Sequence, residues 1–133
     1  REFFESVYSR QWDKLIDLNA EIIYYLLRSF GIQTRILFES QMGTNGTATA
    51  RLVEICEKTG ANTYLSGAGG RIYMDEGLFS AKGINVAYQD YHHPRYAQVY
   101  MNDADDFLPN MSAIDALFNC GSDARNFFAR ETS

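Results

Sequence analysis

A chain of 133 residues with 46% hydrophobic and 22% charged residues has the size and composition of a soluble globular protein with one core. Its formal net charge of −5 argues against a nucleic-acid partner, which would favour a basic patch. No segment approaches the roughly 20 apolar residues of a membrane span, and two cysteines are too few for a disulfide framework. We therefore expect a reduced, cytoplasmic protein.

The first part of the chain predicts two helices separated by a short strand. Apolar residues recur at three- and four-residue steps over residues 11–30, which indicates a helix that Gly31 ends. Residues 34–38 are rich in β-branched and aromatic side chains and predict a strand. A second helix is expected over residues 48–58, with Gly60 at its end.

Two more strands follow, with a helix between them. Residues 63–65 predict a strand that leads into a glycine-rich loop, and residues 84–88 alternate as a third strand. The intervening residues 74–81 predict a short helix with Leu78 and Phe79 facing inward. Strand, helix, strand, helix, strand at these spacings is a βαβαβ unit, which forms a parallel sheet flanked by helices.

The C-terminal part predicts a helical extension of this α/β fold. Ser112 begins a helix, and Asp115 three residues later matches a capping box. The acidic turn over residues 103–106 is interpreted as a solvated loop, and a last short helix is expected over residues 122–128. The expected architecture is therefore a single α/β domain over residues 1–133.

The glycine-rich loop is the most informative run, with the sequence TYLSGAGGR over residues 63–71. Glycine lets a backbone turn sharply or approach a ligand closely because it has no Cβ. The spacing does not match a G-x-G-x-x-G fingerprint or a phosphate-binding P-loop. Ligands of open parallel sheets bind beyond the carboxyl ends of the strands, where residues 39–47, 66–71 and 89–96 are expected. A tight turn without a ligand is the alternative interpretation.

Within this loop, Arg71 is the candidate for anion pairing. A guanidinium beside glycine amides matches the geometry of a phosphate or carboxylate, and a salt bridge to Asp75 or Glu76 is the alternative. Ser66 is interpreted as a hydrogen-bonding residue or a cap, since it lacks the G-x-S-x-G context of a hydrolase nucleophile.

Two other loops supply polar candidates. Thr44 and Asn45 precede the second helix, whose first amides could bind an anion; a plain N-cap at Thr47 is the alternative. Asp90 and His93 are candidate acid–base residues, because Asp90 follows a strand and a histidine titrates near neutral pH. His92 and His93 would point to opposite faces of an extended segment, and no ligand stands at zinc-like spacing. We therefore expect no metal site, and the sequence indicates no particular cofactor.

Four segments resemble the WbqC-like family over nearly the whole chain. They are residues 12–19 (WDKLIDLN), 63–67 (TYLSG) with Gly70 and Tyr73, 88–91 (YQDY) with His93, Pro94 and Tyr96, and 111–121 (MSAIDALFNCG). The resemblance implies a bacterial cytoplasmic protein associated with O-antigen (lipopolysaccharide) or other surface-polysaccharide biosynthesis. Family members carry a further N-terminal part, and this sequence opens on Arg1. We therefore expect it to be the C-terminal part of a longer protein.

The combined hypothesis is a site for a nucleotide sugar or similar phosphorylated ligand at the carboxyl edge of the strands. The predicted ligand-binding residues are Thr44, Asn45, Ser66, Gly67, Gly70, Arg71, Tyr73, Tyr91 and Tyr96, and the predicted catalytic residues are Asp90 and His93. The activity would be a sugar modification or group transfer in polysaccharide biosynthesis. The alternative is a non-catalytic binding or assembly module for a partner enzyme, and a homo-oligomer is compatible with either.

Overall fold

The protein is represented by a computed structural model that describes residues 1–127. The end of the last predicted helix, at Phe128, lies outside the described residues. The chain divides into two compact units, which we name by their places in the sequence. The central unit is residues 35–92, and the terminal unit is residues 1–34 with the chain from His93 onward. The expectation of a single domain stays a prediction.

Residues 1–127 form five α-helices, two β-strands and four short 3₁₀ turns. In chain order the helices and strands are α1 (Glu2–Ser9), α2 (Leu15–Ser29), α3 (Ala48–Thr59), β1 (Thr63–Ser66), α4 (Glu76–Ser80), β2 (Asn85–Tyr88) and α5 (Ala113–Cys120). The 3₁₀ turns are Glu39–Gln41, Ala68–Ile72, Ala104–Asp106 and Gly121–Phe127. No helix within residues 1–127 is long and apolar enough to cross a membrane.

The central unit is built on a two-stranded parallel sheet. Tyr64 of β1 lies opposite Val86 of β2 in the register. A parallel pair needs a crossover connection, and the chain between the strands contains α4. Phe79 of α4 is fully buried and packs in one core with residues of α3, whereas Leu78 is 41% exposed, so its predicted inward orientation is wrong.

The first predicted strand does not form. Residues 32–38 carry neither helix nor strand in the structure, so the sheet of the described residues has two strands. A β-branched composition makes a segment compatible with a strand, but a strand also needs a neighbour to share its hydrogen bonds. The mixed α and β content is confirmed, and the full βαβαβ arrangement is not.

The terminal unit opens with a helix that the sequence analysis did not predict. Phe4 and Val7 of α1 are buried, and the indole N–H of Trp12 donates to the Val7 carbonyl at 2.9 Å. That bond satisfies a carbonyl in the last turn of α1, so residues 10–14 connect two helices. Helix α2 consequently begins at Leu15, later than predicted.

The end of α2 and the core of the terminal unit follow local rules. Gly31 has a φ of +68°, the left-handed conformation that commonly ends a helix, and its predicted role is confirmed. The core residues are Phe30, Tyr96, Ala116 and Ala124. The unit therefore packs α2 and α5 around the ring of Tyr96.

Candidate functional site

The glycine-rich loop leaves the sheet at the carboxyl end of β1, beside the end of β2. The Ser66 carbonyl accepts the Gln89 N–H at 2.8 Å, so the chain beyond each strand starts from the same edge. The loop then forms the 3₁₀ turn Ala68–Ile72, in which the Gly70 N–H donates to the Gly67 carbonyl at 3.0 Å. The structure therefore brings the starts of two of the three predicted ligand loops together at one edge of the central unit.

Arg71 lies over the ring of Tyr88, the last residue of β2. Its guanidinium carbon is 4.0 Å from the ring centroid, a cation–π distance. The Tyr88 hydroxyl donates to Glu76 Oε1 at 2.6 Å, and this hydrogen bond raises the pKa of Tyr88. Arg71 forms no ion pair with a carboxylate of residues 1–127, so the alternative salt bridge to Asp75 or Glu76 does not form.

The glycines of the loop differ in what their surroundings require. Gly70 is buried, and a Cβ added there would overlap Ser66 Oγ and lie 3.1 Å from Met74 Cε. Gly67 and Gly69 have open space at the Cβ position and no positive φ. Ser66 itself is 4% exposed, and its hydroxyl donates to the Gly67 carbonyl at 3.0 Å. Packing therefore accounts for glycine at position 70, but not at 67 or 69.

The loop before α3 is organised by a carboxylate from that helix. Glu54 Oε2 accepts the backbone N–H groups of Asn45 at 2.9 Å and of Gly46 at 3.0 Å. These two hydrogen bonds lower the pKa of Glu54. The amides of Asn45 and Gly46, just before α3, therefore hold an anion of the protein itself, and binding of an external anion by the first amides of α3 stays a prediction. Binding of a ligand by the Asn45 side chain stays a prediction.

The start of α3 lies at the same end of the central unit as the glycine-rich loop. The buried Thr49 hydroxyl accepts the N–H of Asp75, just beyond that loop, at 3.2 Å. Thr47 is the N-cap residue, as the alternative interpretation expects, but its side chain makes no capping hydrogen bond. The Thr44 hydroxyl donates to the carboxylate of Glu39. The start of α3 and the segment after the glycine-rich loop are thus tied together.

Replacing Glu54 by glutamine should flatten the acid side of the stability profile. A carboxyl group whose pKa is lowered on folding from its ordinary value of 4.5 stabilises the folded state above that pH. That contribution is lost as the pH falls through the lowered pKa. Thermal unfolding followed by circular dichroism between pH 7 and pH 3 should therefore show a smaller loss for Glu54→Gln than for the unchanged chain.

The matched control for this variant is Glu57→Gln on the same helix. Glu57 is exposed, and its carboxylate pairs with Lys82 at 2.7 Å. Unlike Glu54, Glu57 accepts no backbone N–H from the described residues. We expect the Glu57→Gln variant to keep the acid-side slope of the unchanged chain. Identical pH profiles for all three proteins would contradict the role given to Glu54.

The aromatic candidates of the central unit are open to solvent. Tyr73 follows the 3₁₀ turn and is 75% exposed, and Tyr91 is 54% exposed beside the exposed Asp90. Such rings can pack on the face of a sugar or a base without a rearrangement of the core. Among residues 1–127, the His, Cys, Asp and Glu side chains form no group of three that could hold a metal ion.

His93 and Tyr96 belong to the terminal unit and have a different environment. The His93 ring centroid is 5.8 Å from that of Tyr96. Tyr96 is 7% exposed, and its hydroxyl donates to Asp115 Oδ2 at 2.7 Å. Burial, together with this hydrogen bond, raises the pKa of Tyr96 to about 12. The structure gives Tyr96 a packing role, and a direct ligand contact stays a prediction.

Asp115 differs from its predicted role, because its side chain does not complete a capping box. The Ser112 hydroxyl caps α5 by accepting the Ile114 N–H at 3.3 Å, while Asp115 Oδ2 accepts from Tyr96 and from Gln98 Nε2, the latter at 3.2 Å. No sequence motif indicates the role of Gln98. A bond between residues 17 positions apart leaves no periodic pattern that could have indicated it.

Comparison with known proteins gives a family and a relative. The profile of the WbqC-like protein family matches residues 1–127. The chain is 32% identical over 111 residues to the Uncharacterized protein Rv1507c of Mycobacterium tuberculosis, a match that covers 83% of this chain and 46% of that protein. The chain thus spans about half the length of this relative. No solved structure has a significant match. A family match over nearly the whole chain shows that this protein belongs to the WbqC-like family.

Proposed function

We propose that the protein binds a nucleotide sugar, or a similar phosphorylated ligand, at the carboxyl edge of β1 and β2. Arg71 and the glycine-rich loop would hold the anionic part, with Ser66, Gly67 and Gly70 shaping the loop. The exposed Tyr73 and Tyr91 would face the sugar or base, and Thr44 and Asn45 would line the neighbouring side. The biological setting that we propose is O-antigen or other surface-polysaccharide biosynthesis in the bacterial cytoplasm.

One observation carries this proposal: Gly67 and Gly69, which neither packing nor φ requires, lie beside Arg71, which has no carboxylate partner among residues 1–127. Glycine costs conformational entropy on folding, and neither packing nor φ requires it at positions 67 and 69. Close approach of a ligand to the backbone is a remaining physical reason for such residues. Arg71 donates no hydrogen bond within residues 1–127, so its guanidinium can pair with an oxyanion.

A catalytic role for Asp90 and His93 is part of the proposal. Asp90 lies in the central unit and is exposed, whereas His93 lies in the terminal unit. The assignment of these two residues therefore rests on the sequence. The reaction that we propose is a sugar modification or group transfer, in which Asp90 or His93 acts as the general acid or base that moves a proton.

Replacing Arg71 by alanine should weaken the binding of a nucleotide sugar about tenfold or more, which corresponds to about 1.4 kcal/mol. The loss follows from removing a charge-assisted hydrogen bond to phosphate. Isothermal titration of the chain with UDP-glucose measures the affinity directly, and circular dichroism checks the fold. Arg35→Ala is the matched control, because Arg35 is also exposed in the central unit but lies outside the proposed site.

An affinity that Arg71→Ala leaves unchanged would contradict the assignment of the phosphate site. A loss caused by Arg35→Ala and not by Arg71→Ala would move the site elsewhere in the central unit. Both results are informative only if the unchanged chain binds UDP-glucose, uridine diphosphate or another nucleotide sugar with measurable heat. The absence of heat with all of them would favour the second candidate function.

That second candidate is a non-catalytic assembly module for a partner enzyme. The exposed apolar side chains beside the loop favour it, since Ile72 is 90% exposed and Tyr73 75%. Large exposed apolar side chains that lie together can mark a protein contact. Co-purification with a transferase encoded beside this protein, lost in the Ile72→Ser variant, would support the module.

A further inference from the structure

The terminal unit contains a cavity that none of the predicted site residues lines. Its volume is about 580 Å³, within the range of small-molecule sites, roughly 300–1,000 Å³. All of its lining residues fall between Gln98 and Asn119, in α5 and in the segment that leads to it. The cavity therefore lies within one unit, and its residues are separate in sequence from the glycine-rich loop.

Hydrogen bonds hold the walls of this cavity in place. Gln98 binds Leu108 twice, because its Nε2 donates to the Leu108 carbonyl at 3.0 Å and its Oε1 accepts the Leu108 N–H at 2.9 Å. Asn119 of α5 accepts the Val99 N–H at 2.8 Å and donates to the Asp115 carbonyl at 2.8 Å. Since these bonds are made by the protein alone, the cavity is formed without a ligand.

The charged residues of the lining are both acidic. They are Asp106 and Asp115, and no Lys, Arg or His of the described chain lines the cavity. Asp106 accepts the N–H groups of Asn102 at 2.9 Å and of Asp103 at 3.4 Å, which lowers its pKa and keeps it ionised near neutral pH. Carboxylates in a lining that has no basic side chain repel a phosphorylated ligand and attract a positive one.

The rest of the lining includes apolar side chains that are open to solvent. Phe118 is 58% exposed and Met111 44% exposed, and Met101 lines the same cavity. A ligand that covers this surface gains about 25 cal/mol for each Å² of apolar area removed from water. Aromatic rings attract a cation that lies over their face, and thioethers adapt to irregular shapes. The complementary ligand therefore combines an apolar body with a positive group.

We propose that this cavity binds an organic cation, specifically an ammonium group carried on an apolar or aromatic body. The ammonium would pair with Asp106 and lie near Asp115, and the body would cover Phe118 and Met111. The carboxylates set the sign of the ligand charge, and the exposed apolar surface sets the character of the remainder. This binding site is independent of the proposed function at the strand ends.

The test uses phenethylamine as the probe, with two compounds of similar shape that differ in charge. Phenethyl alcohol is neutral, and phenylacetate is anionic. The isotopically labelled chain is titrated with each compound while the backbone amide resonances are followed. We expect phenethylamine to shift amides of residues 98–119 in a saturable way and to bind about tenfold more tightly than phenylacetate.

Two variants distinguish the cavity from general attraction to an acidic chain. Asp106→Asn keeps an oxygen that accepts the two amides but removes the charge, and it should weaken phenethylamine binding several-fold. Asp105→Asn removes the same charge from an exposed residue that does not line the cavity, and it should change the affinity less than twofold. Equal losses in the two variants would overturn the proposal, as would equal affinity for phenylacetate or no saturable shifts.

Discussion

Replacing Phe79 by alanine is expected to remove roughly 3–5 kcal/mol from the free energy of unfolding of the central unit. Phe79 is 0% exposed, and its ring stacks on that of Tyr64 with 5.2 Å between the centroids. Val53, Cys56 and Ile84 complete the same core. Alanine would leave a cavity that these neighbours can fill only in part. Thermal unfolding should show a midpoint lower by roughly 10 °C or more.

The control is the adjacent residue of α4. Apolar periodicity predicts that Leu78 and Phe79 both face inward, but the structure buries only Phe79 and leaves Leu78 41% exposed. We therefore expect Leu78→Ala to cost less than about 1 kcal/mol. Comparable losses for the two variants would show that α4 packs as the sequence predicted, with both side chains in the core.

The predictable part of this fold rests on local rules. Helix α3 was predicted at nearly its observed bounds, because an apolar face precedes Gly60, whose φ of +68° allows it to end the helix. The strands β1 and β2 were found for a similar reason, since short runs of β-favouring residues stand between turn residues. Each of these elements is specified by its own residues and by the turn residues directly beside it.

The parts that sequence analysis missed depend on residues far apart in the chain. Residues 34–38 have a strand-like composition, yet no strand among the described residues pairs with them. Asp115 matches a capping box locally, but its carboxylate is used by Tyr96, 19 residues earlier. In both cases a tertiary partner, or its absence, overrides the local preference. The cavity lined by residues between Gln98 and Asn119 depends on such hydrogen bonds, so no local pattern in the sequence indicates it.

The candidate site at the strand ends was predictable to a similar extent. The sequence could predict that the loops after β1 and β2 start from the same edge, because loops after parallel strands meet at one edge of a sheet. The partner of Arg71 could not be inferred from the sequence, because Asp75, Glu76 and Tyr88 all follow it closely in the chain. Only the structure shows that Arg71 lies over the ring of Tyr88. The sequence does not distinguish the glycines of the loop from one another, whereas in the structure only Gly70 lacks room for a Cβ, and Gly67 and Gly69 have open space there.

That difference predicts opposite results for two substitutions in one turn. Gly70→Ala should destabilise the central unit by roughly 1–3 kcal/mol, because the new Cβ would overlap Ser66 Oγ and press on Met74. Relief requires a shift of buried Ser66, whose carbonyl pairs with the N–H of Gln89 beyond β2. Chemical denaturation of the purified variant measures the loss, and nucleotide-sugar binding should weaken with it.

Gly69→Ala isolates the contribution of the ligand from that of the fold. The position has open space and no positive φ, so alanine should leave stability unchanged or raise it by roughly 0.4–1 kcal/mol through the unfolded state. If a ligand approaches the backbone of the loop, the same methyl group should obstruct it, and the affinity for UDP-glucose should fall while the fold persists. A stable Gly69→Ala protein with unchanged affinity would mean that no ligand approaches this position closely. The glycine-rich loop would then serve as a turn at position 69, and Arg71 alone would carry the case for a phosphate site.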